Sequence, residues 1–199
     1  MRTLLERCGR VSSLNDLRPH LLLLLVVLAT SSCALRAGRS ADVLSDLKGQ
    51  FNRDRGVPRL IVLVSPTCTA CLGGAQWIQD SVLKANAELK IQVYAVWFSM
   101  LPTDSPEVFP DAQLLMSDSR VRHYWDSRRA VGARYKTWVP SGVTGPIEWD
   151  AFYLYPADAV WVDEAPPTQL ASGRTILETR RDLATAIARL TAATASSSR

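Results

Sequence analysis

The run Leu60-Ile61-Val62-Leu63-Val64 constrains the chain most: five consecutive apolar residues, three of them β-branched, suit a strand only when both of its faces are covered. That strand runs straight into Ser65-Pro66-Thr67-Cys68. From Thr69 the period changes, with Leu72, Ala75, Ile78 and Val82 recurring at three- and four-residue intervals, which predicts a helix to about Ala87. Cys68 and Cys71 therefore stand where a buried strand hands over to a helix. Gly73-Gly74 either weakens the first turn of that helix or admits close approach by another backbone or a substrate.

The remaining pattern is read around this unit. Ser40 can cap a short helix carrying Val43, Leu44, Leu47 and Phe51, closed by Gly56-Val57-Pro58. Ile91 to Trp97 reads as a second strand, and Met100 to Pro110, with three Pro, as a loop long enough to be a lid. Val121, Tyr124, Trp125, Arg128, Val131 and Tyr135 outline a helix, followed by a loop from Pro140 to Pro146. Trp149 to Tyr155 and Ala159 to Val162, separated by Pro156-Ala157-Asp158, are expected to form an antiparallel hairpin. A last helix is expected from about Thr175 to Thr191, with a disordered tail over 192–199. No internal repeat is present. With 199 residues and 47% apolar residues, one domain is expected, over about 41–191.

Residues 1–33 read as an export signal: Arg2, Arg7, Arg10 and Arg18 precede the apolar run Leu21 to Ala29, and small residues Thr30-Ser31-Ser32 lead to Cys33. Nine continuously apolar residues fall short of the roughly 20 that a spanning helix needs, leaving cleavage or an uncleaved anchor. Cys33 resembles the lipidated Cys of bacterial lipoproteins, although Thr30 stands where their signals usually carry Leu. The formal charge of +4 falls to +2 once this segment is set aside, which is no footprint for nucleic acid.

Cys8 lies within the signal and Cys33 at its edge, so Cys68 and Cys71 are the only thiols left in the folded part. They pair with each other or stay free. In an oxidising compartment a bridge across a two-residue spacer closes so small a loop that it adds little stability, which makes stapling the weaker explanation.

Strand, Cys-X-X-Cys helix, strand, helix, strand, strand, helix is the order of the thioredoxin fold, and Pro66 stands two residues before the first Cys as in thioredoxins. On these features residues 41–191 resemble the thioredoxin-like superfamily, with 60–82 the motif-specific stretch. Ser65-Pro66-Thr67-Cys68-Thr69-Ala70-Cys71, with Val96 to Pro102, His123-Tyr124-Trp125-Asp126 and Trp149-Asp150, is similar to exported bacterial thioredoxin-domain proteins of unassigned role. The resemblance implies an α/β fold with a central mixed sheet of about four strands flanked by helices. It also implies a Cys68–Cys71 disulfide as the redox-active group, with no separate cofactor and no metal. Cys68 at the positive end of a helix, where free N–H groups favour a thiolate, would be the nucleophile; Cys71, one turn in, would resolve the mixed disulfide. Pro66, Thr67, Thr69 and Ala70 would support the pair.

The sequence departs from that pattern at Thr69-Ala70, where thioredoxins have Gly-Pro, and at Thr67, where they have Trp. Thioredoxins also place a cis-Pro before the third strand, opposite the dithiol. Here the nearest candidate is Pro146, and Trp149-Asp150 occupies the junction, so Pro146 and Trp149 are the candidate substrate groove.

Other residues invite functional readings but have simpler ones. His123 could join the two Cys in a copper or zinc site, yet a packing role is the simpler expectation, and structural zinc usually takes four protein ligands. Asp80 or Asp126 could accept the Cys71 proton, though each reads as a solvated helix charge. Tyr94, Trp97, Tyr124, Trp125, Tyr153 and Trp161 are expected in the core. Arg120, Arg122, Arg128, Arg129 and Arg134 are expected on a solvated helix face.

The function expected is that of an exported thiol-disulfide oxidoreductase in the bacterial periplasm or cell envelope, acting on protein thiols or disulfides or on a redox partner protein. Membrane attachment would be through lipid on Cys33 or an uncleaved anchor. The alternatives are a Cu(I)-binding metallochaperone, since thiolates favour that soft ion, and a non-catalytic thioredoxin-fold envelope protein.

Overall fold

The computed structural model describes residues 42–139 and 144–197, which lie in the compact unit Asp42–Arg199. The expected signal over 1–33, Cys33 and Ser40 lie outside the described residues. Among the described residues no helix is long and apolar enough to cross a membrane.

Helix α1 (Val43–Arg53) leads to β1 (Arg59–Val64), and α2 (Thr69–Trp77) follows, prolonged by a wider π turn at Ile78–Leu83 and a tighter one at Lys84–Asn86. Then come β2 (Gln92–Trp97), the short α3 (Phe109–Gln113), β3 (Val121–Trp125) and α4 (Ala130–Trp138). The chain closes with β4 (Ala151–Tyr155), β5 (Ala171–Arg174) and α5 (Ile176–Ser197).

One mixed sheet runs in the order β3-β2-β1-β4-β5. Strands β1, β2 and β3 are parallel, with Val64 level with Trp97, and β4 is antiparallel to β1, with Ala151 level with Leu63. Strand β1 is central and wholly buried, as its unbroken apolar run requires. Its alternate residues serve two cores. Leu60, Val62 and Val64 face Cys71, Ala75, Ile78 and Leu183; Ile61 and Leu63 face Leu47, Phe51, Val131 and Tyr135. The dithiol helix between parallel β1 and β2, with β4 antiparallel on the other side of β1, is the arrangement expected of the thioredoxin fold.

The sheet has five strands rather than the expected four. Val121–Trp125 is an edge strand beside β2, not the start of a helix. The chain breaks at Asp126, whose carboxylate accepts the backbone N–H of Arg128 at 3.2 Å and of Val131 at 2.8 Å, so the helix opens only at Ala130. Left-handed Arg129, at φ 56°, makes the same corner.

The expected hairpin partner of β4 is also displaced. Residues 159–162 form no strand, because side chains satisfy their backbone. Asn52 bonds both the N–H and the carbonyl of Trp161, and the buried Arg59 guanidinium donates to the carbonyls of Ala157 and Ala159. Strand β5 pairs with β4 instead. Helix α5 starts at Ile176 and continues through Ser197, past Thr191.

Of the basic run, Arg122, Arg128, Arg129 and Arg134 are exposed as expected, but only Arg134 lies on a helix, and Arg122 is on β3. Arg120 is half-buried, pairs with Asp118 at 2.9 Å and donates to the carbonyls of Leu83 and Leu89, tying the end of the α2 segment to the approach of β3.

Gly73 and Gly74 are explained by a close approach. A Cβ on Gly74 would lie 2.9 Å from Cβ of Ile176, and one on Gly73 would lie 3.1 Å from Cδ1 of Leu177. The start of α5 therefore packs directly on the first turns of α2.

Candidate active site

Cys68 is the N-cap residue of α2, with extended backbone at φ −76° and ψ 114°. Its sulfur accepts the backbone N–H of Cys71 at 3.4 Å, one of the donors that a helix leaves free in its first turn. Cys68 is half-buried and Cys71 fully buried, and both are unbridged. Burial pushes the Cys71 thiol strongly up; its hydrogen bond to the Cys68 sulfur and the negative charge of Asp150 push the same way, against a backbone hydrogen bond from Ser65. The pair is thus asymmetric: one sulfur is half-buried and accepts a backbone N–H, and the other is buried and held as a thiol.

The residues around the pair divide by exposure. Pro66 is buried beneath the turn, Thr67 and Ala70 are half-buried, and Thr69 faces solvent. Thr67 is anchored to Asp104. One oxygen of that carboxylate accepts Thr67 N at 3.0 Å and Thr67 Oγ1 at 2.6 Å, and the other accepts Ser65 Oγ at 2.7 Å.

The junction before β4 is built from Glu148-Trp149-Asp150. Trp149 is half-buried and, like Cys68 and Leu72, packs against the core on the α2 side of the sheet. Its carbonyl accepts Nε of Arg174 at 2.9 Å, and Arg174 also lies 3.4 Å from the buried Glu148 carboxylate. Asp150 is left-handed at φ 51° and 6% exposed, and its Oδ1 accepts the N–H of Ile176 at 3.4 Å. Burial raises the Asp150 carboxyl, against the Ile176 N–H and the positive charge of Arg174. Pro146 is exposed, three residues before Trp149, and among the described residues no bond preceding a Pro is cis. Pro146 is therefore no cis-Pro before β4, and Trp149, at that junction, packs against the cores on both sides of the sheet.

The other candidates lie elsewhere. Asp126 caps α4, and Asp80 is a surface carboxylate paired with Lys84 at 2.8 Å. His123 accepts Trp97 Nε1 at Nδ1, 3.1 Å away, and its Nε2 lies 3.1 Å from the Met116 carbonyl, which fixes the proton on Nε2. Both ring nitrogens are occupied in packing.

Sequence reasoning missed two residues, Asp104 and Asp150. Each carboxylate is buried beside the segment that carries or faces the thiols, and a single acid in a loop or at a strand entrance has no periodicity to announce it.

No family model and no curated protein matches the chain. Among solved structures it is similar to a secreted Mycobacterium tuberculosis disulfide oxidoreductase homologous to E. coli DsbE, at 16% identity over 69% of this chain and 84% of that one, with a TM-score of 0.43. It is also similar to a thioredoxin-like protein in its oxidised form, at 18% identity over 67% of this chain and 79% of that one, with a TM-score of 0.41. A third is the thioredoxin domain of a thiol-disulfide oxidoreductase from Bacteroides vulgatus, at 10% identity over 67% of this chain and 83% of that one, with a TM-score of 0.40.

Proposed function

We propose that the chain is an exported thiol-disulfide oxidoreductase of the bacterial cell envelope, working on protein thiols or disulfides through Cys68 and Cys71. The observation that carries this reading is the asymmetry of the pair: a half-buried sulfur at a helix N-terminus receives the N–H of Cys71, while the partner thiol is buried.

In the reducing direction the Cys68 thiolate attacks one sulfur of a substrate disulfide. A bond forms between Cys68 and that sulfur, the substrate bond breaks, and the other substrate sulfur leaves as a thiolate that takes a proton from water. Cys71 then gives its proton to Asp150 and attacks the Cys68 sulfur. The mixed disulfide breaks, the first substrate sulfur leaves as a thiolate, and the Cys68–Cys71 disulfide closes. Two electrons pass from the dithiol to the substrate. In the oxidising direction every step runs backwards.

Asp150 suits the proton step because burial raises its carboxyl and brings its proton affinity closer to that of a thiol. Trp149, at the junction before β4 where thioredoxins place their cis-Pro, would offer the substrate an aromatic surface. Attachment to the membrane, by lipid on Cys33 or by an uncleaved anchor, belongs to the same proposal.

The test is to incubate the purified protein with a reduced and then with an oxidised protein substrate and to follow free thiols. Turnover in at least one direction, lost in Cys68→Ser, is expected; a Cys68→Ser variant with unchanged turnover in both would overturn the reading.

A further inference from the structure

The segment after β2 reads in sequence as a candidate lid, yet it is bolted to the strand-to-helix turn at a single carboxylate. Asp104 is 8% exposed and accepts five hydrogen bonds. Two come from its own loop, the N–H groups of Met100 and Leu101, each at 2.7 Å. Three come from the turn that presents Cys68: Ser65 Oγ, Thr67 N and Thr67 Oγ1. Thr103 adds a hydroxyl contact to Thr67 Oγ1 at 2.5 Å. A loop that needed only to close on itself would use its own donors. Here most of the donors belong to residues 65 and 67, the second of them bonded directly to Cys68.

Holding those residues has a consequence for the thiol. The sulfur benefits from the α2 N-terminus only while the Cys68 backbone stays extended and the Cys71 N–H points at it, and that geometry is set by the turn entering Cys68. We infer that Asp104 is the positioning residue of the active-site thiol: it clamps Ser65 and Thr67 to the 100–104 loop and so keeps the Cys68 sulfur on the α2 N-terminus. This rests on the reading of Cys68 and Cys71 as a redox pair.

Charge and positioning act in opposite directions, which makes the inference testable. A negative carboxylate near Cys68 opposes the thiolate by simple electrostatics, so removal of the charge alone would speed Cys68 as a nucleophile. Loss of positioning would slow it.

The experiment measures the rate at which iodoacetamide alkylates Cys68 in the reduced full chain, read by mass, and the equilibrium of the dithiol with glutathione. Asp104→Asn removes the charge and sets an amide against backbone donors. Thr67→Val removes one hydroxyl donor at nearly constant shape and leaves the Asp104 charge in place, and Thr67→Ser restores the donor. Slowing by about threefold to tenfold is expected for Asp104→Asn, within the range of a helix N-terminal interaction, together with a shifted glutathione equilibrium. Thr67→Val should slow in the same direction, and Thr67→Ser should return close to the wild-type rate. Asp104→Asn alkylating at or above the wild-type rate would overturn the inference, even with a lowered melting temperature. So would Thr67→Val and Thr67→Ser both reacting like wild type, and this pair decides the matter if Asp104→Asn does not fold. Alkylation does not depend on turnover, so a failure here leaves the Cys68→Ser substrate assay standing, and the reverse also holds.

Discussion

Cys71 directs its backbone N–H at the sulfur of Cys68 across 3.4 Å while its own thiol is sealed in the core on the α2 side of the sheet. One short stretch of helix thus gives a hydrogen bond to the first sulfur and buries the second.

The first prediction concerns accessibility. A brief exposure of the reduced protein to iodoacetamide at neutral pH should label Cys68 and spare Cys71, whose thiol burial pushes strongly up. Denaturation should make both reactive. Peptide mass mapping reads the outcome, and equal labelling of the two in the folded protein would contradict the asymmetry.

The second concerns Asp150. If it takes the Cys71 proton, Asp150→Asn should slow resolution of the mixed disulfide by about a hundredfold, at the lower end of what a positioned base contributes, and leave the first attack by Cys68 nearly unchanged. Rapid mixing with a small disulfide, quenched in acid and read by mass, should show the mixed disulfide accumulating. Equal slowing of both steps would point to a merely structural role.

The third concerns acid stability, where two buried carboxylates act with opposite sign. Burial alone would raise the Asp104 carboxyl, but hydrogen bonds from Thr67, Leu101, Ser65 and Met100 outweigh it and hold it below the usual carboxylate range. Its contribution is present above the unfolded value of about 3.9 and is lost as pH falls through the lower folded value. Asp150 is raised, so its contribution is present below about 3.9 and is lost as pH rises through the higher folded value. Melting temperatures from pH 7 to pH 2 should therefore fall less steeply at the acid end in Asp104→Asn than in wild type. Asp150→Asn should gain stability relative to wild type at neutral pH and lose that gain on acidification.

The fourth concerns the seat of α5. Gly74→Ala would place a Cβ 2.9 Å from Cβ of Ile176, so α2 and α5 must separate, and a loss of about 1–3 kcal/mol is expected by denaturant unfolding. A neutral substitution would contradict close packing of the two helices at this position.

The central strand and the dithiol helix were legible in sequence because each has a distinctive period, and Pro66 marked their junction. Strand β3 was not: Val121, Tyr124 and Trp125 satisfy helical spacing as well as strand spacing, and the side-chain hydrogen bonds of Asp126 decide between them. The segment 159–162 looked like a strand because Ala159-Val160-Trp161-Val162 is a short apolar run just after a turn, but Asn52 and Arg59, far away in the chain, bond to its backbone instead. The roles of Asp104 and of Asp150, which was marked only as part of the junction before β4, were hidden for a related reason. A loop carboxylate reads as solvated until the fold brings donors to it, and those of Asp104 come in part from residues 37 and 39 positions away.

The most direct test of the account is to trap the intermediate. Cys71→Ser and Cys68→Ser proteins, each reduced and mixed with an oxidised protein substrate, are compared by mass under non-reducing conditions. The expected result is a stable mixed disulfide through Cys68 in the Cys71→Ser protein and none in the Cys68→Ser protein. Adducts at equal yield in both, or in neither, would contradict the assignment of Cys68 as nucleophile and Cys71 as resolving thiol.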